Sequence, residues 1–339
     1  MKKTINLLTQ TKKNFNKPSS SNVALLDTSL NSENSGDQII MEACNKIFKE
    51  IFVNSKIIRI PTHTYNTNSE SLHSFLKILC GTNIIYSRME NQKQWYLPND
   101  LSSYYNTVLL GVGLSDVDIN KKTSLYTKLF FNKILSKDYY HSVRDKRTLK
   151  RLNDMGIKNV LNTTCPTMWT LNNKILNKIP KSKSRTVVTS ITDYCFDKQQ
   201  DKLMLSILDQ EYEEVIIWVQ GSHDVDWCLS KIIDLNKYKV IGPNLEDLER
   251  TINKTSFDYI GTRLHAGIKC LNSLKRTIVI AVDERAKAIS EDTNLPTINR
   301  NEIGHKLSNM INSSFKTDIV LPNKEINKWK QQFKRNLID

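Results

Sequence analysis

Two side chains that favour anions stand close together in residues 259–272, which read YIGTRLHAGIKCLN. Arg263 and His265 follow an apolar run and begin a segment whose apolar residues recur at helical spacing. Cations are unfavourable in the first turn of a helix, because the helix dipole is positive there. They are expected at that position when an anion also binds there, held by backbone N–H groups and side chains. The pattern therefore predicts an anion site, where His265 could also carry a proton near neutral pH.

The residues just before Arg263 predict how the pair is presented. Gly261 permits a sharp turn after the apolar run FDYI, and Thr262 is a candidate N-cap for the helix that follows. A guanidinium can donate two parallel hydrogen bonds to a phosphate or a carboxylate, so Arg263 suits either anion. The alternative for His265 is an ordinary core position with a hydrogen-bonded ring.

Two earlier loops contain residues suited to acid–base or anion chemistry. In NSENSGDQII, Gly36 permits a tight backbone and Asp37 stands at the N-cap position of the next helix. Asp37 is either a structural cap or a carboxylate that takes a proton from a substrate hydroxyl. In SVRDKRT, Asp145 is a credible cap, and Arg144 directly follows a strand. Arg144 is either a surface arginine or a second contact for an anion, since cations suit the other end of a helix.

The remaining loops give weaker signals. GVGLSD, residues 111–116, begins like a dinucleotide-binding fingerprint, but Asp116 takes the place of the last small residue and no GK[ST] follows. Close backbone packing therefore explains its glycines better. Secondary candidates for lining a ligand cleft are Asn34, Gly36, Asp193, Gln220 and Arg285. Turn formation explains Asp193 and Gln220 equally well.

Composition limits the class of protein. The chain has 339 residues, enough for two domains that each bury a core, and its formal net charge of +14 favours anionic partners. The six cysteines form no C-x-x-C pair, so no structural zinc site is expected and we assign no metal ligands. The N-terminus lacks the apolar region of an export signal, and no stretch has the ~20 apolar residues of a membrane span. We expect a cytoplasmic protein, and contact with the inner face of the membrane is compatible with these features.

Short apolar strands alternate with helical segments twice along the chain. Strand-like runs occupy 23–27, 56–60, 82–87 and 106–113, and a second alternation begins at TVVTSI, after a Lys-, Asn- and Ser-rich linker at 171–185. This alternation is typical of parallel sheets with helices on both faces. Ligands bind to such sheets beyond the carboxyl ends of the strands, where the loops described above lie.

The fold class predicted is α/β, with two doubly wound domains. We expect a basic arm at 1–21, an N-terminal domain at 22–175, a C-terminal domain at 185–322 and an amphipathic helix at 323–339. Trp329 and Phe333 of this helix either touch an anionic membrane or pack back against the domains.

Several segments together resemble the polysaccharide pyruvyl transferase family. DYIGTRLHAGI followed by TIVIAVDERAKAI is similar to the C-terminal signature of that family, and NSGDQII resembles its N-terminal Gly-Asp element. SVRDKRTLKRLNDMGIKNV with NTTCPTMWTL resembles its middle segment, and the matches keep the order of the family over residues 22–300. One departure is Cys165, which stands before Pro166 where many members have an aspartate.

The resemblance implies two Rossmann-like domains facing each other across a cleft, as in GT-B glycosyltransferases. The acceptor would bind on the N-terminal side and phosphoenolpyruvate on the C-terminal side. It also implies that pyruvate passes from phosphoenolpyruvate to two hydroxyls of one sugar as a cyclic ketal, with release of phosphate. Phosphoenolpyruvate is a co-substrate, and no cofactor is implied.

Carried over by motif, Arg263, Leu264 and His265 would hold phosphoenolpyruvate, with Thr262 beside them and Arg144 facing the same anion. The resemblance makes His265 the acid/base residue. We assign Asp37, expected in the other domain, as the base that deprotonates the sugar hydroxyl.

Three alternatives differ in class. A GT-B glycosyltransferase that uses a nucleotide sugar would share the architecture, but the second domain lacks a Glu-x7-Glu pattern. An anion-binding module without turnover would share the site. Nucleic-acid binding fits the positive charge, but the sequence has neither a helix-turn-helix signal with a concentrated basic face nor an aromatic-basic platform. The partners we expect are phosphoenolpyruvate and a saccharide of a bacterial surface polysaccharide or its precursor, free or lipid-linked.

Overall fold

The computed structural model describes residues 22–64, 75–92, 94–115, 120–221, 223–224 and 234–334. The arm at 1–21 lies outside these residues. Contacts divide the chain into two compact units. The first unit comprises Met1–Ser32, Ile40–Pro166 and Pro322–Asp339, and the second unit comprises Glu33–Ile39 and Thr167–Leu321.

A six-stranded parallel sheet forms the centre of the first unit. Its strands are β1 (Asn22–Asp27), β2 (Lys56–Pro61), β3 (Leu76–Ile85), β4 (Val108–Leu114), β5 (His141–Val143) and β6 (Val160–Asn162). Their order across the sheet is β2-β1-β3-β4-β5-β6. The strand predicted at 82–87 begins earlier, at Leu76, because the apolar run LKILC also pairs with β1 and β4.

Helices cover this sheet. They are α1 (Ser35–Ile51), α2 (Leu125–Ile134), α3 (Lys146–Asp154) and, from the end of the chain, α10 (Asn323–Lys334). Every residue of β4 is buried, as expected for a central parallel strand covered on both faces.

The C-terminal helix α10 packs its apolar face into the first unit. Trp329 is fully buried, and its Nε1 donates to the Leu109 carbonyl at 3.1 Å. Phe333 is also fully buried, with ring centroids 5.0 Å from Trp329 and 5.5 Å from Tyr139. Of the two uses expected for these aromatic residues, packing is therefore the one observed. The contacts also explain why α10 groups with the first unit although it follows the second in sequence.

The second unit contains another six-stranded parallel sheet. Its strands are β7 (Thr186–Thr189), β8 (Glu214–Trp218), β9 (Lys239–Ile241), β10 (Asp258–Gly261), β11 (Thr277–Ala281) and β12 (Thr297–Asn299). The helices are α4 (Asn173–Leu176), α5 (Lys198–Glu211), α6 (Leu245–Lys254), α7 (Leu264–Asn272), α8 (Glu284–Thr293) and α9 (Ile303–Asn312).

The strand order of the second sheet is β9-β8-β7-β10-β11-β12. The chain adds strands toward one edge from β7 to β9 and then toward the other edge from β10 to β12, so the order of winding reverses between β7 and β10. It is the 3-2-1-4-5-6 order of doubly wound sheets, which bind ligands beyond the carboxyl ends of the strands at this reversal. The predicted fold class, two doubly wound parallel α/β units, is confirmed. The geometry of the second sheet directs attention to the loops after β7 and β10.

A buried ion pair fixes the opposite end of β10. Arg276 is fully buried and donates through Nη1 to Asp258 at 2.8 Å, and Asp258 also accepts from the Tyr212 hydroxyl at 2.8 Å. The Nη2 atom of Arg276 donates to three carbonyls at the end of α9, those of Met310, Ile311 and Ser313. These bonds satisfy carbonyl groups that the end of a helix leaves without intrahelical partners.

Within the described part of the chain, no helix has the length and apolar character needed to cross a membrane. The cysteines that can be described form no disulfide bond with one another, and Cys44, Cys80, Cys165 and Cys270 are buried.

Candidate functional site

The loops after β7 and β10 are held together at the reversal of the second sheet. Beyond the last paired strand residues, the Thr262 backbone N–H donates to the Ser190 carbonyl at 2.9 Å. The Thr262 hydroxyl accepts from the Thr192 backbone N–H at 2.8 Å and donates to the Ser190 carbonyl at 3.2 Å. Thr262 therefore joins the two loops. The prediction that Thr262 caps the next helix is wrong, because its hydroxyl bonds to Ser190 and Thr192 in the loop after β7.

Helix α7 begins at Leu264, and Arg263 is its N-cap residue. The Arg263 side chain makes no capping hydrogen bond to a backbone N–H group of the described helix. Leu264 is buried in the core, and His265 lies in the first turn with 8% of its surface exposed. The first turn of α7 thus lies at the reversal point, where the helix dipole and backbone N–H groups favour an anion.

The Arg263 guanidinium is buried and paired with two carboxylates. Its side chain is 3% exposed, and its Nη2 donates to Oδ1 of Asp193 at 3.0 Å and to Oδ1 of Asp224. Its Nε has no hydrogen-bond partner among the described residues. A buried cation needs such partners, and the guanidinium is left with one donor that has none among the described residues.

Asp224, which the sequence analysis missed, anchors this arrangement. Its Oδ2 accepts from the backbone N–H groups of Gln220 at 3.1 Å and Gly221 at 2.9 Å, while its Oδ1 accepts from Arg263. Burial raises the pKa of Asp224, and the nearby Arg263 charge and the Gly221 hydrogen bond act in the opposite direction. The sequence signal that could have found Asp224 is its position soon after the apolar run that forms β8, since loops after strands hold ligand-binding residues in such sheets.

A second ion pair lies beside the first. Arg285, in the first turn of α8, donates through Nη2 to Asp283 at 2.7 Å and to the Tyr194 hydroxyl at 2.5 Å. The half-exposed Tyr194 ring lies near both guanidinium groups, with its centroid 5.5 Å from Cζ of Arg263 and 5.9 Å from Cζ of Arg285. The ring therefore connects the two arginines through cation–π contacts.

The Gly-Asp element at the start of α1 joins the same loops. Asn34 Oδ1 accepts from the Gly36 backbone N–H at 2.9 Å and from Gln220 Nε2 at 2.7 Å. A Cβ atom on Gly36 would lie 2.9 Å from Gln220 Nε2 and 3.0 Å from Asn34 Oδ1, so these two side chains would have to shift to admit it. The Ser35 N–H also donates to the Gln220 carbonyl at 3.3 Å. These bonds explain why Glu33–Ile39 groups with the second unit.

Asp37 is a half-buried residue in the first turn of α1. The expectation that it is the N-cap is wrong, because the helix begins at Ser35 and Asn34 precedes it with the capping hydrogen bond. An acidic residue in the first turn still interacts favourably with the helix dipole.

Arg144 lies in the first unit, where its contacts are structural. The side chain is 4% exposed, with Nε donating to Asp145 at 3.3 Å and Nη2 to the Leu114 carbonyl at 3.2 Å. A Cβ atom on Gly113 would overlap its guanidinium, which explains that glycine as close packing. Asp145 accepts from the Thr148 N–H at 2.7 Å and is the predicted helix cap.

The structure therefore connects four of the predicted residues in one series that also includes Asp224. Hydrogen bonds link Gly36 to Asn34, Asn34 to Gln220, Gln220 to Asp224 and Asp224 to Arg263. Asp193 also accepts from Arg263, and His265 follows two residues later in the first turn of α7. Within the described part of the chain, no group of three or more metal-ligating side chains could hold a metal ion.

Comparisons with known proteins agree with this architecture. A solved structure of the UDP-GlcNAc 2-epimerase of Methanocaldococcus jannaschii, in complex with UDP-GlcNAc and UDP, superposes with a TM-score of 0.51. The two chains share 11% sequence identity, over 93% of this chain and 98% of the epimerase. At this identity the similarity shows the fold alone, a GT-B-like pair of α/β units. A search of curated proteins finds no match.

The family follows from the sequence. The sequence model of the polysaccharide pyruvyl transferase family matches residues 34–284, which include the Gly-Asp element, Arg263 and His265. This chain belongs to the polysaccharide pyruvyl transferase family.

Proposed function

We propose that this protein transfers pyruvate from phosphoenolpyruvate to a saccharide and forms a cyclic ketal. The family supports a pyruvyltransferase that acts in polysaccharide biosynthesis on a saccharide acceptor. The observation that carries the choice of donor is the position of Arg263 and His265 at the first turn of α7, where the second sheet reverses direction. We further propose that the reaction takes place in the cytoplasm, with an acceptor that is free or lipid-linked.

Phosphoenolpyruvate has both a phosphate and a carboxylate, and the site offers donors for such a ligand. Arg263 has an Nε donor without a described partner, and the first turn of α7 adds backbone N–H groups near Leu264 and His265. Arg285 places a second guanidinium near the same Tyr194 ring. Arg144 stays a prediction as a donor contact, since the contacts it makes lie within the first unit.

The reaction requires a proton at C3 of phosphoenolpyruvate, which leaves C2 electron-deficient. We assign His265 as the general acid that delivers this proton. A sugar hydroxyl then adds to C2, the C2–O bond to phosphate breaks, and the second hydroxyl closes the ring. The two hydroxyl protons balance the proton taken up at C3 and the proton that leaves with phosphate.

Asp37 is our candidate for the base that takes a proton from the first hydroxyl. It is half-buried in the first turn of α1, and its segment is bonded to the Gln220 loop. Negative charge interacts favourably with a helix N-terminus, and a carboxylate can take a proton from a hydroxyl.

The experiment that tests this function combines phosphoenolpyruvate with a panel of free, nucleotide-linked and lipid-linked saccharides. Released phosphate is measured, and mass spectrometry detects pyruvate on the acceptor. The wild type should release phosphate only with an accepted saccharide, and His265→Ala should lower kcat about 10²–10⁴-fold. His305→Ala removes an exposed histidine of the same unit and serves as the control. Ketal formation at the wild-type rate in His265→Ala would refute the role of His265.

A further inference from the structure

Asp193 and Asp224 hold the same nitrogen of Arg263 but differ in how firmly they are fixed. Asp224 has a side chain that is 1% exposed, and its second oxygen accepts two backbone hydrogen bonds. The Asp193 side chain is 21% exposed and extends from the loop after β7. Asp224 is therefore part of the framework, whereas Asp193 reaches Arg263 from a position open to solvent.

The charges around Arg263 make the Asp193 contact the weaker of the two. Two carboxylates share one guanidinium nitrogen, so each reduces the benefit of the other by repulsion. Releasing the buried Asp224 would leave a charge without partners in the interior, which is strongly unfavourable. Releasing Asp193 moves a carboxylate that already has solvent access into water, at a much smaller cost.

We propose that Asp193 is an exchangeable counter-ion that the anionic donor displaces from Arg263, while Asp224 stays in place and positions the guanidinium. This inference rests on the proposed function, because it takes the donor to be phosphoenolpyruvate. The carboxylate of Asp193 occupies the Nη2 donor that a carboxylate or phosphate of the ligand would use. Before the ligand binds, Asp193 keeps the buried arginine paired.

The exchange has a consequence for affinity. The binding-competent form is the one in which Asp193 has left Arg263, so the apparent dissociation constant rises as the population of that form falls. Removing the Asp193 charge should therefore tighten anion binding, although it removes an ion pair from the protein. A residue with only a structural role would give the opposite sign or no effect.

The test is calorimetric titration of phosphoenolpyruvate and, separately, of inorganic phosphate into the full-length protein. Asp193→Asn and Asp193→Ser both remove the charge, and the second also removes most of the side chain. Asp209→Asn is the matched control, since Asp209 is an exposed carboxylate of the same unit that accepts from the Tyr238 hydroxyl. Asp224→Asn tests the asymmetry between the two partners of Arg263.

We expect both Asp193 variants to bind each anion about fivefold more tightly or better, and Asp209→Asn to match the wild type. Unchanged or weaker binding in the Asp193 variants would overturn the proposal, and so would equal tightening in Asp209→Asn or Asp224→Asn. If the wild type binds phosphate but not phosphoenolpyruvate, the proposed donor is wrong, and the phosphate affinities alone decide the exchange. If neither anion binds to any variant, the exchange and the donor site both fail.

Discussion

Gly261 lies so close to Ser190 that a Cβ atom at Gly261 would stand 2.7 Å from the Ser190 backbone nitrogen and 2.8 Å from its carbonyl oxygen. The Tyr259 hydroxyl, which shares a 2.6 Å hydrogen bond with Ser190, would lie 2.9 Å from the same Cβ. The absence of a side chain at Gly261 thus lets the loop after β7 meet the start of α7. The sequence predicted a sharp turn at Gly261, but the structure shows that glycine is required because the Ser190 backbone lies too close for a side chain.

Gly261→Ala should therefore separate β10 from the loop after β7. We expect a loss of about 1–3 kcal/mol in the free energy of unfolding, because the atoms in contact belong to the backbone and cannot rotate away. Anion binding should weaken as well, because Gly261 stands two residues before Arg263 and a shift of β10 would displace the guanidinium from Asp224. Urea unfolding and calorimetry would measure the two effects. Gly156→Ala is less suitable as a control because Gly156 has φ +93, whereas Gly304→Ala meets only ordinary packing within α9 and should lower neither property.

Arg263→Lys should raise the Michaelis constant for phosphoenolpyruvate about tenfold or more, with a smaller change in kcat. An ammonium keeps the charge but cannot reproduce the planar set of donors that contacts Asp193, Asp224 and a ligand together. Steady-state kinetics at saturating acceptor would measure both constants. An unchanged Michaelis constant would remove Arg263 from the donor site.

Phosphoenolpyruvate should stabilise the protein, and UDP or GDP should not. A ligand at about 100-fold its dissociation constant adds about 2.7 kcal/mol to the free energy of unfolding, which is readily seen as a higher melting temperature. This comparison separates a pyruvyltransferase from a glycosyltransferase that uses nucleotide sugars. Stabilisation by a nucleotide alone would favour the second class.

His141 should make the first unit sensitive to acid. It is fully buried, with Nε2 bonded to the Ser136 carbonyl at 2.9 Å and Nδ1 to the Leu109 N–H at 3.3 Å. These partners fit a neutral ring that donates through Nε2, and burial lowers the pKa of His141 to about 4. The unfolded chain takes up this proton near the ordinary pKa of about 6.5. His141 therefore does not reduce the free energy of unfolding above about pH 6.5, and its neutral burial lowers that free energy progressively as the pH falls toward about 4.

This loss should amount to about 3 kcal/mol, and His141→Gln should show a flatter dependence on pH over the same range. Urea midpoints measured at several pH values would show the difference. His305→Gln, at an exposed position, controls for removal of an imidazole. A wild-type midpoint that does not change from pH 6.5 to 4 would contradict the buried neutral state.

Trp329→Ala should destabilise the first unit by about 3–5 kcal/mol. The side chain is fully buried, packs against Phe333 and donates to the Leu109 carbonyl on β4. Thermal unfolding would measure the loss, and Asn327→Ala on the exposed side of α10 is the matched control. A normal melting temperature for Trp329→Ala would mean that α10 does not support the first unit.

The alternation of strands and helices, which local hydrophobic pattern determines, could be predicted from the sequence. The placement of Arg263 and His265 at a strand-to-helix junction followed from the same pattern. The pairing of Arg263 could not be predicted in this way. Asp224 lies 39 residues from Arg263, and only the order of β8, β7 and β10 in the sheet brings the two side chains together.

The predicted cap at Asp37 shows a different limit. Asn34, Ser35 and Asp37 are all residue types that can begin a helix, so local propensity does not choose among them. The hydrogen bond from Gln220 to Asn34 and that from Ser35 to the Gln220 carbonyl fix the start of α1. The grouping of Glu33–Ile39 with the second unit depends on the same long-range bonds.

The central claim is that the first turn of α7 receives phosphoenolpyruvate, and a crystal structure of the full-length protein with this ligand tests it most directly. We expect the ligand within hydrogen-bond distance of Arg263 and His265, with its phosphate or carboxylate at the N-terminus of α7. Asp193 should then have turned away from Arg263. Phosphoenolpyruvate bound elsewhere, with Arg263 and His265 both out of contact with it, would contradict the account.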